Sequence, residues 1–203
     1  MINDLRALKQ ADWQEKIQRH LRYGGRVLGI CGGYQMLGKS VHDPMGIENA
    51  RPGETEAGLG LLDCQTTLQP QKQLRQCDGD LQLGSTTTAL SGYEIHCGET
   101  DSRERAPIRF VDGRHDGSIS TDGAVLGCYV HGLFDQADAA NALLGWAGLR
   151  SEHRIDLNDI REQQLDRLAD CLATHLSADF WRELDIDSEK FASKVNAAEK
   201  VPA

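Results

Sequence analysis

Apolar residues at Leu5, Leu8, Trp13, Ile17 and Leu21 recur at helical spacing, with Lys9, Glu15, Lys16 and Arg19 between them. The pattern predicts an amphipathic helix over residues 3–21, ended by Gly24-Gly25. The short apolar run Arg26-Val27-Leu28-Gly29-Ile30 then reads as a buried strand, and Tyr34-Gln35-Met36-Leu37 as the opening turn of a helix. A helix feeding a strand that feeds a helix is the order of a parallel α/β sheet. Residues 42–63 read as an irregular segment, because Asp43-Pro44-Met45-Gly46 and Arg51-Pro52-Gly53-Glu54 are both turn signals. From there to residue 130 the pattern predicts short strands at 64–68, 81–83, 93–96, 108–111 and 124–130. No crossover helix separates them, so this part of the sheet is expected to be antiparallel or mixed. Helical character returns over 136–146 and again over 158–184, where Leu165, Leu168, Leu172 and Leu176 form one stripe and Phe180 and Trp181 follow. Residues 185–203 are polar and weakly patterned, which leaves one domain over 1–184 and a loosely ordered tail.

Composition narrows the function classes. A chain of 203 residues holds a core of ordinary size, and a formal net charge of −9 argues against a broad nucleic-acid surface. No apolar run reaches the length of a membrane span, and Met1-Ile2-Asn3-Asp4-Leu5-Arg6 lacks the order of a signal peptide. Six cysteines are present, but none is spaced Cys-x-x-Cys, which disfavours a structural zinc site and a disulfide framework. Reduced thiols in a cytoplasm are the simpler reading.

The chemistry concentrates at Cys31. A free cysteine is ordinarily a small buried hydrophobe. Here Gly29 and Gly32-Gly33 flank it at a strand end, and a strand–tight turn–helix lifts one side chain above the sheet edge. Helix N–H groups aimed at such a side chain favour thiolate, so Cys31 is a candidate nucleophile. Of seven histidines, His42, His115 and His153 lie in polar or turn-like contexts, and His20 and His175 on predicted helices. His96 ends Gly92-Tyr93-Glu94-Ile95 and His131 ends Ala124–Val130; each projects from a strand end into a glycine turn. Either could serve the cysteine as base, and position alone does not separate them.

Several motifs occur in a specific order: Val27-Leu28-Gly29-Ile30-Cys31-Gly32-Gly33-Tyr34-Gln35-Met36-Leu37-Gly38, Asp43-Pro44-Met45-Gly46-Ile47-Glu48, Gly58-Leu59-Gly60-Leu61-Leu62, Gly92-Tyr93-Glu94-Ile95-His96, and Tyr129-Val130-His131-Gly132-Leu133-Phe134. Over roughly residues 4–184 the chain resembles the glutamine amidotransferase domain of the cobyrinate/cobyric acid synthase branch of class I amidotransferases. The resemblance implies an α/β, three-layer domain with a mixed sheet. It implies that Cys31 attacks the side-chain amide of glutamine, that His131 is the base, and that the Gly32 N–H holds the oxyanion. Gln35, Glu94 and His96 become candidates for the substrate side, with Glu94 a possible orienter of a histidine. In the family, the ammonia amidates carboxylates of a corrin ring activated by ATP.

The sequence departs from the class pattern in three places. Leu133 stands two residues after His131, where class I enzymes often carry Glu, so the resemblance implies a Cys–His dyad. The family's glycine-bearing oxyanion loop and its N-terminal strands would precede Asp4. No Gly-x-x-x-x-Gly-Lys-Ser/Thr phosphate loop occurs, so ATP and Mg²⁺ are expected only in a synthetase domain outside this chain, which alone does not complete the synthase reaction. Two other readings stand beside the amidotransferase. One is an α/β-hydrolase-like thiol esterase built on the same elbow; the other is a catalytically impaired remnant that only binds or scaffolds.

Overall fold

The computed structural model of the chain describes residues 1–48, 51–149, 156–177 and 180–181. Two compact units are present, Met1–Ile155 and Asp156–Ala203; the expected boundary at 184 and the tail beyond it lie outside the described residues. In the first unit the order is α1 (Ile2–Gln10), α2 (Trp13–Arg22), β1 (Val27–Ile30), α3 (Gly32–Leu37), β2 (Ser40–Asp43) and β3 (Glu54–Ala57). It continues with β4 (Cys64–Leu83), β5 (Thr86–Ser102), β6 (Ile108–Phe110), β7 (His115–Asp116), β8 (Ser118–Ile119), β9 (Val125–Cys128), β10 (Val130–His131) and α4 (Ala137–Trp146). The second unit contributes α5 (Leu157–His175), whose Asp156 carboxylate accepts from Asn158 N–H at 2.9 Å as an N-cap. Phe180 and Trp181 meet edge to face at 5.6 Å.

The fold is mixed α/β, with strands in two sheets. A three-stranded sheet runs β1-β9-β8, parallel between β1 and β9 and antiparallel between β9 and β8. A seven-stranded sheet runs β10-β5-β4-β2-β3, with β6 on β4 and β7 on β6; its β2–β4 pair is parallel and the rest antiparallel. The predicted nucleophile strand is therefore a half-buried edge strand of the smaller sheet rather than a buried central one.

Four expectations change in detail. The single helix over 3–21 is two helices, broken where Asp12 takes a left-handed φ of 60°; Asp tolerates that conformation, and Trp13 is left exposed beside the break. Inside the segment read as irregular, β2 and β3 form a hairpin, and Arg6 of α1 bonds Glu54 at 2.8 Å and Glu56 at 2.7 Å on β3. The short strands at 64–68, 81–83 and 93–96 are parts of one long β4–β5 ribbon, offset between Leu68 and Gln73 and closed at Gly84-Ser85. Gly84 takes φ 60° at the first central position of this two-residue turn. Finally, the single strand over 124–130 breaks at Tyr129, and its two pieces belong to different sheets.

One apolar cluster packs Leu126, Cys128, Val130 and Leu133 against Leu81, Leu90, Ile108 and Phe110; a second packs Leu5, Tyr34, Leu37 and Leu62 around Val125 and Tyr129. Helix α3 lies close on the smaller sheet because Gly29 and Gly127 face each other in register. A methyl on Gly127 would come 2.1 Å from the Tyr34 ring, and one on Gly29 would come 2.6 Å from Leu37. Gly127→Ala is therefore expected to lower stability by about 1–3 kcal/mol, read from urea unfolding of the full chain; an unchanged midpoint contradicts this close approach.

Candidate active site

Between the end of β1 at Ile30 and the start of α3 at Gly32 a single residue makes the reversal, and Cys31 takes φ 54°, ψ −113°. A non-glycine residue in that region stores about 1–3 kcal/mol of strain. The surroundings hold it there: the Cys31 N–H donates to the Cys128 carbonyl at 2.8 Å, and the Gln35 N–H donates to the Cys31 carbonyl at 3.2 Å. The thiol donates to the Ile95 carbonyl at 3.6 Å. Burial pushes the thiol above its ordinary pKa, aided by Cys97 and Asp116, and outweighs the opposing Gly32 N–H. The resting group is thus a thiol, against the expectation that the helix N–H groups favour thiolate.

His131 approaches the same strand from the larger sheet. In the β10–β5 pair Val130 lies opposite Glu94 and His131 opposite Tyr93, and the His131 and Tyr93 rings stack at 5.1 Å with 9° between planes. Burial, then His96, push the His131 pKa below its ordinary value, so the ring is neutral at neutral pH. Its Nε2 is buried without a hydrogen-bond partner. Cys31 and His131 share no hydrogen bond in this structure; they meet β5 at Ile95 and Tyr93, two residues and thus about 7 Å apart along the strand.

The other candidates occupy different surroundings. Gln35 is buried and its Nε2 donates to the Tyr129 hydroxyl at 3.3 Å. Glu94 accepts from Arg114 at 2.8 Å and sits 3.5 Å from Arg75 and 3.8 Å from His96 Nε2, so the histidine it touches is His96 rather than His131. Burial would raise the Glu94 pKa, but His96 and Arg114 override it and hold the carboxyl below its ordinary range. The His96 Nδ1–H donates to the Gly98 carbonyl at 2.7 Å, and its ring stacks on Tyr129 at 3.7 Å. A polar cavity of about 640 Å³ is lined by Arg75, Glu94, His96, Arg114, Tyr34 and Tyr129, among others, and neither Cys31 nor His131 lines it. Gly32 is half-buried on the first turn of α3.

Sequence reasoning passed over the residues that tie this region together. Tyr129 carries the Gln35 bond, stacks on His96 and shares a 2.6 Å hydrogen bond with Thr100, while Tyr34 and Ser102 each bond Ser118 at 2.6 Å. Asp116 is 6% exposed, and its Oδ2 accepts from the N–H groups of Tyr129 at 2.8 Å and Val130 at 3.1 Å. Tyr93 lies inside a motif the sequence already singles out; Asp116 carries no such signal, because only the tertiary fold brings residues 116 and 129 together.

Among known proteins, residues 1–139 match the family described as the CobB/CobQ-like glutamine amidotransferase domain. The chain is 49% identical over 189 residues to the cobyric acid synthase of Shewanella oneidensis, in an alignment covering 85% of this chain and 37% of that protein. It therefore spans little more than a third of the length of the curated relative it matches.

The raised thiol pKa sets a testable order of reactivity. Because deprotonation is moved upward, iodoacetamide should label Cys31 more slowly than a free thiol at neutral pH, with the rate climbing as pH rises into the alkaline range. Peptide mapping by mass spectrometry separates Cys31 from the other five cysteines. Fast labelling that persists below pH ~7 contradicts a resting thiol and indicates a thiolate–imidazolium pair.

Proposed function

The chain belongs to the CobB/CobQ-like glutamine amidotransferase family, and on that premise we propose that it carries the glutaminase half of a cobyric acid synthase. The elbow at Cys31, a strained non-glycine residue between β1 and the Gly32 turn, is the observation that carries this reading. The neutral His131 ring supplies a base, and its unpartnered Nε2 is the atom free to take a proton. As glutamine enters, the Cys31 S–H transfers its proton to His131 and the sulfur bonds the side-chain amide carbon. The oxygen of that amide becomes an oxyanion facing the Gly32 N–H. Collapse breaks the C–N bond; the imidazolium returns its proton to the leaving nitrogen and ammonia departs. Water, deprotonated by the same imidazole, then cleaves the thioester to glutamate and restores the thiol.

Since the free site has no Cys31–His131 hydrogen bond, substrate binding must draw the two together, as catalytic hydrogen bonds often tighten only in the complex. The ammonia then passes to a synthetase part of the protein, outside this chain, where ATP and Mg²⁺ activate carboxylates of a corrin substrate for amidation in cobalamin biosynthesis. No helix among the described residues is long and apolar enough to cross a membrane. The compartment proposed for the reaction is the cytoplasm, on the reading of the six cysteines as reduced thiols.

Ammonia release from glutamine by the full chain, alone and with the synthetase part added in trans, tests the reading. Turnover should vanish in Cys31→Ala and fall by about 10²–10⁴-fold in His131→Ala. Release that survives Cys31→Ala contradicts it, as does a wild-type chain that neither turns over nor forms a covalent adduct with a glutamine-mimicking electrophile in either setting.

A further inference from the structure

Strand β9 pairs with the nucleophile strand β1, and β10 pairs with β5, yet only Tyr129 separates them. In that one residue the backbone leaves the smaller sheet and enters the larger, and Tyr129 belongs to neither ladder. Its N–H and the next are buried and need an acceptor, since an unpaired buried N–H costs roughly 1–3 kcal/mol. One oxygen of Asp116 takes both, at 2.8 Å and 3.1 Å.

We propose that Asp116 is the positioning residue of the site: its carboxylate fixes the backbone at the crossing between the two sheets, and so holds His131 against Tyr93, two residues along β5 from where the Cys31 thiol meets it. The proposal rests on the reading of His131 as the base.

A passive clamp would not need a charge. Two N–H donors can be satisfied by the oxygen of a neutral side chain, which is less expensive to bury than an isolated carboxylate. Asp116 is 6% exposed, and among the described residues no lysine or arginine forms an ion pair with it. Arg114, two residues earlier, spends its bonds on Glu94 and Asp112. What the charge gains is a stiffer hold, since hydrogen bonds to an ionised acceptor are about twice as strong as neutral ones. Burial, reinforced by Glu94, pushes the Asp116 pKa up to about 6 against the N–H groups of Tyr129, Val130 and Gly117, so the carboxylate is ionised at neutral pH.

The hold is braced from a second direction. Arg114 donates to Glu94, which lies opposite Val130 in the β10–β5 register. The segment from Arg114 to Gly117 therefore holds the strand that bears His131 through Asp116 and its neighbour β5 through Arg114. Asp116 touches no reacting atom; it acts on the chemistry through where His131 sits, beside its small share in raising the Cys31 thiol.

Nuclear magnetic resonance of the full chain tests this without needing turnover. In Asp116→Ala the His131 ring protons should lose most of the upfield shift given by the Tyr93 face, and the His131 titration midpoint should climb back toward 6.5, the ordinary histidine value. In Asp116→Asn the Tyr129 and Val130 amide protons should move upfield as their acceptor loses its charge, and His131 should shift part of the way. Turnover of glutamine should fall about 10-fold in Asp116→Asn and 10²-fold in Asp116→Ala, in kcat rather than KM, as expected of a misplaced base. An unmoved His131 in a folded Asp116→Ala overturns the proposal. Should that variant not fold, Asp116→Asn decides: amides that stay in place show that Asp116 is not their charged acceptor, and amides that move while His131 does not show that the clamp leaves the base indifferent. If His131 responds as stated but no form of the protein releases ammonia, the glutaminase reading fails and the positioning role stands.

Discussion

The structure depends on how one backbone passes between two sheets. Cys31 stands at the end of a strand paired with β9, His131 on a strand paired with β5, and the residues from 125 to 131 link the two ladders. That passage puts a polar backbone in the interior, where every N–H needs a partner. The molecule answers with a buried polar cluster centred on Tyr129: Asp116 accepts its N–H, Thr100 and Gln35 bond its hydroxyl, and His96 covers its ring. Gln35 brings α3 into this cluster, so the helix that caps the nucleophile and the strand that bears the histidine are fixed to the same residue.

This arrangement also decides the kind of chemistry available. Both members of the proposed dyad are half-buried and neither faces an opposite charge, so burial dominates: the thiol is pushed up and the imidazole down. Such a pair rests neutral, and the chemistry proposed for it is general-base transfer during attack rather than storage of a thiolate. Glu94, the one buried carboxylate inside a histidine-bearing motif, is already committed to Arg114, Arg75 and His96. In the proposed dyad, backbone control of where the ring sits thus takes the place of a triad's third member.

The sequence made the elbow legible because its signals are local. A short apolar run, a cysteine and three glycines within seven residues admit few backbone paths, and β1 and α3 fall where the pattern places them. The breaks at Asp12 and Tyr129 were not legible. At Asp12 the heptad-like spacing carries on through the turn, and at Tyr129 the run Val125–Val130 is continuously apolar, so nothing in it marks a change of sheet. The long β4–β5 ribbon was seen only as fragments, since Gln73-Leu74-Arg75-Gln76 and Thr86-Thr87-Thr88 are polar on both faces and show no alternation. Of the candidate site, Cys31 could be read from its strand end and flanking glycines, whereas the same signals left His96 and His131 unseparated and only the family resemblance chose His131. The surroundings of Glu94 and His96 could not, because which face of β5 a residue occupies depends on the register with β4 and β10, and those of Gln35 depend on where α3 meets Tyr129.

The proposed chemistry stands or falls on Cys31 forming the covalent bond to glutamine. Acid quenching of the full chain mixed with glutamine, followed by peptide mass spectrometry, tests it most directly. A glutamyl thioester is expected on the peptide bearing Cys31, absent in Cys31→Ala. Ammonia release with no thioester on Cys31, or an acyl group on another residue, would contradict it.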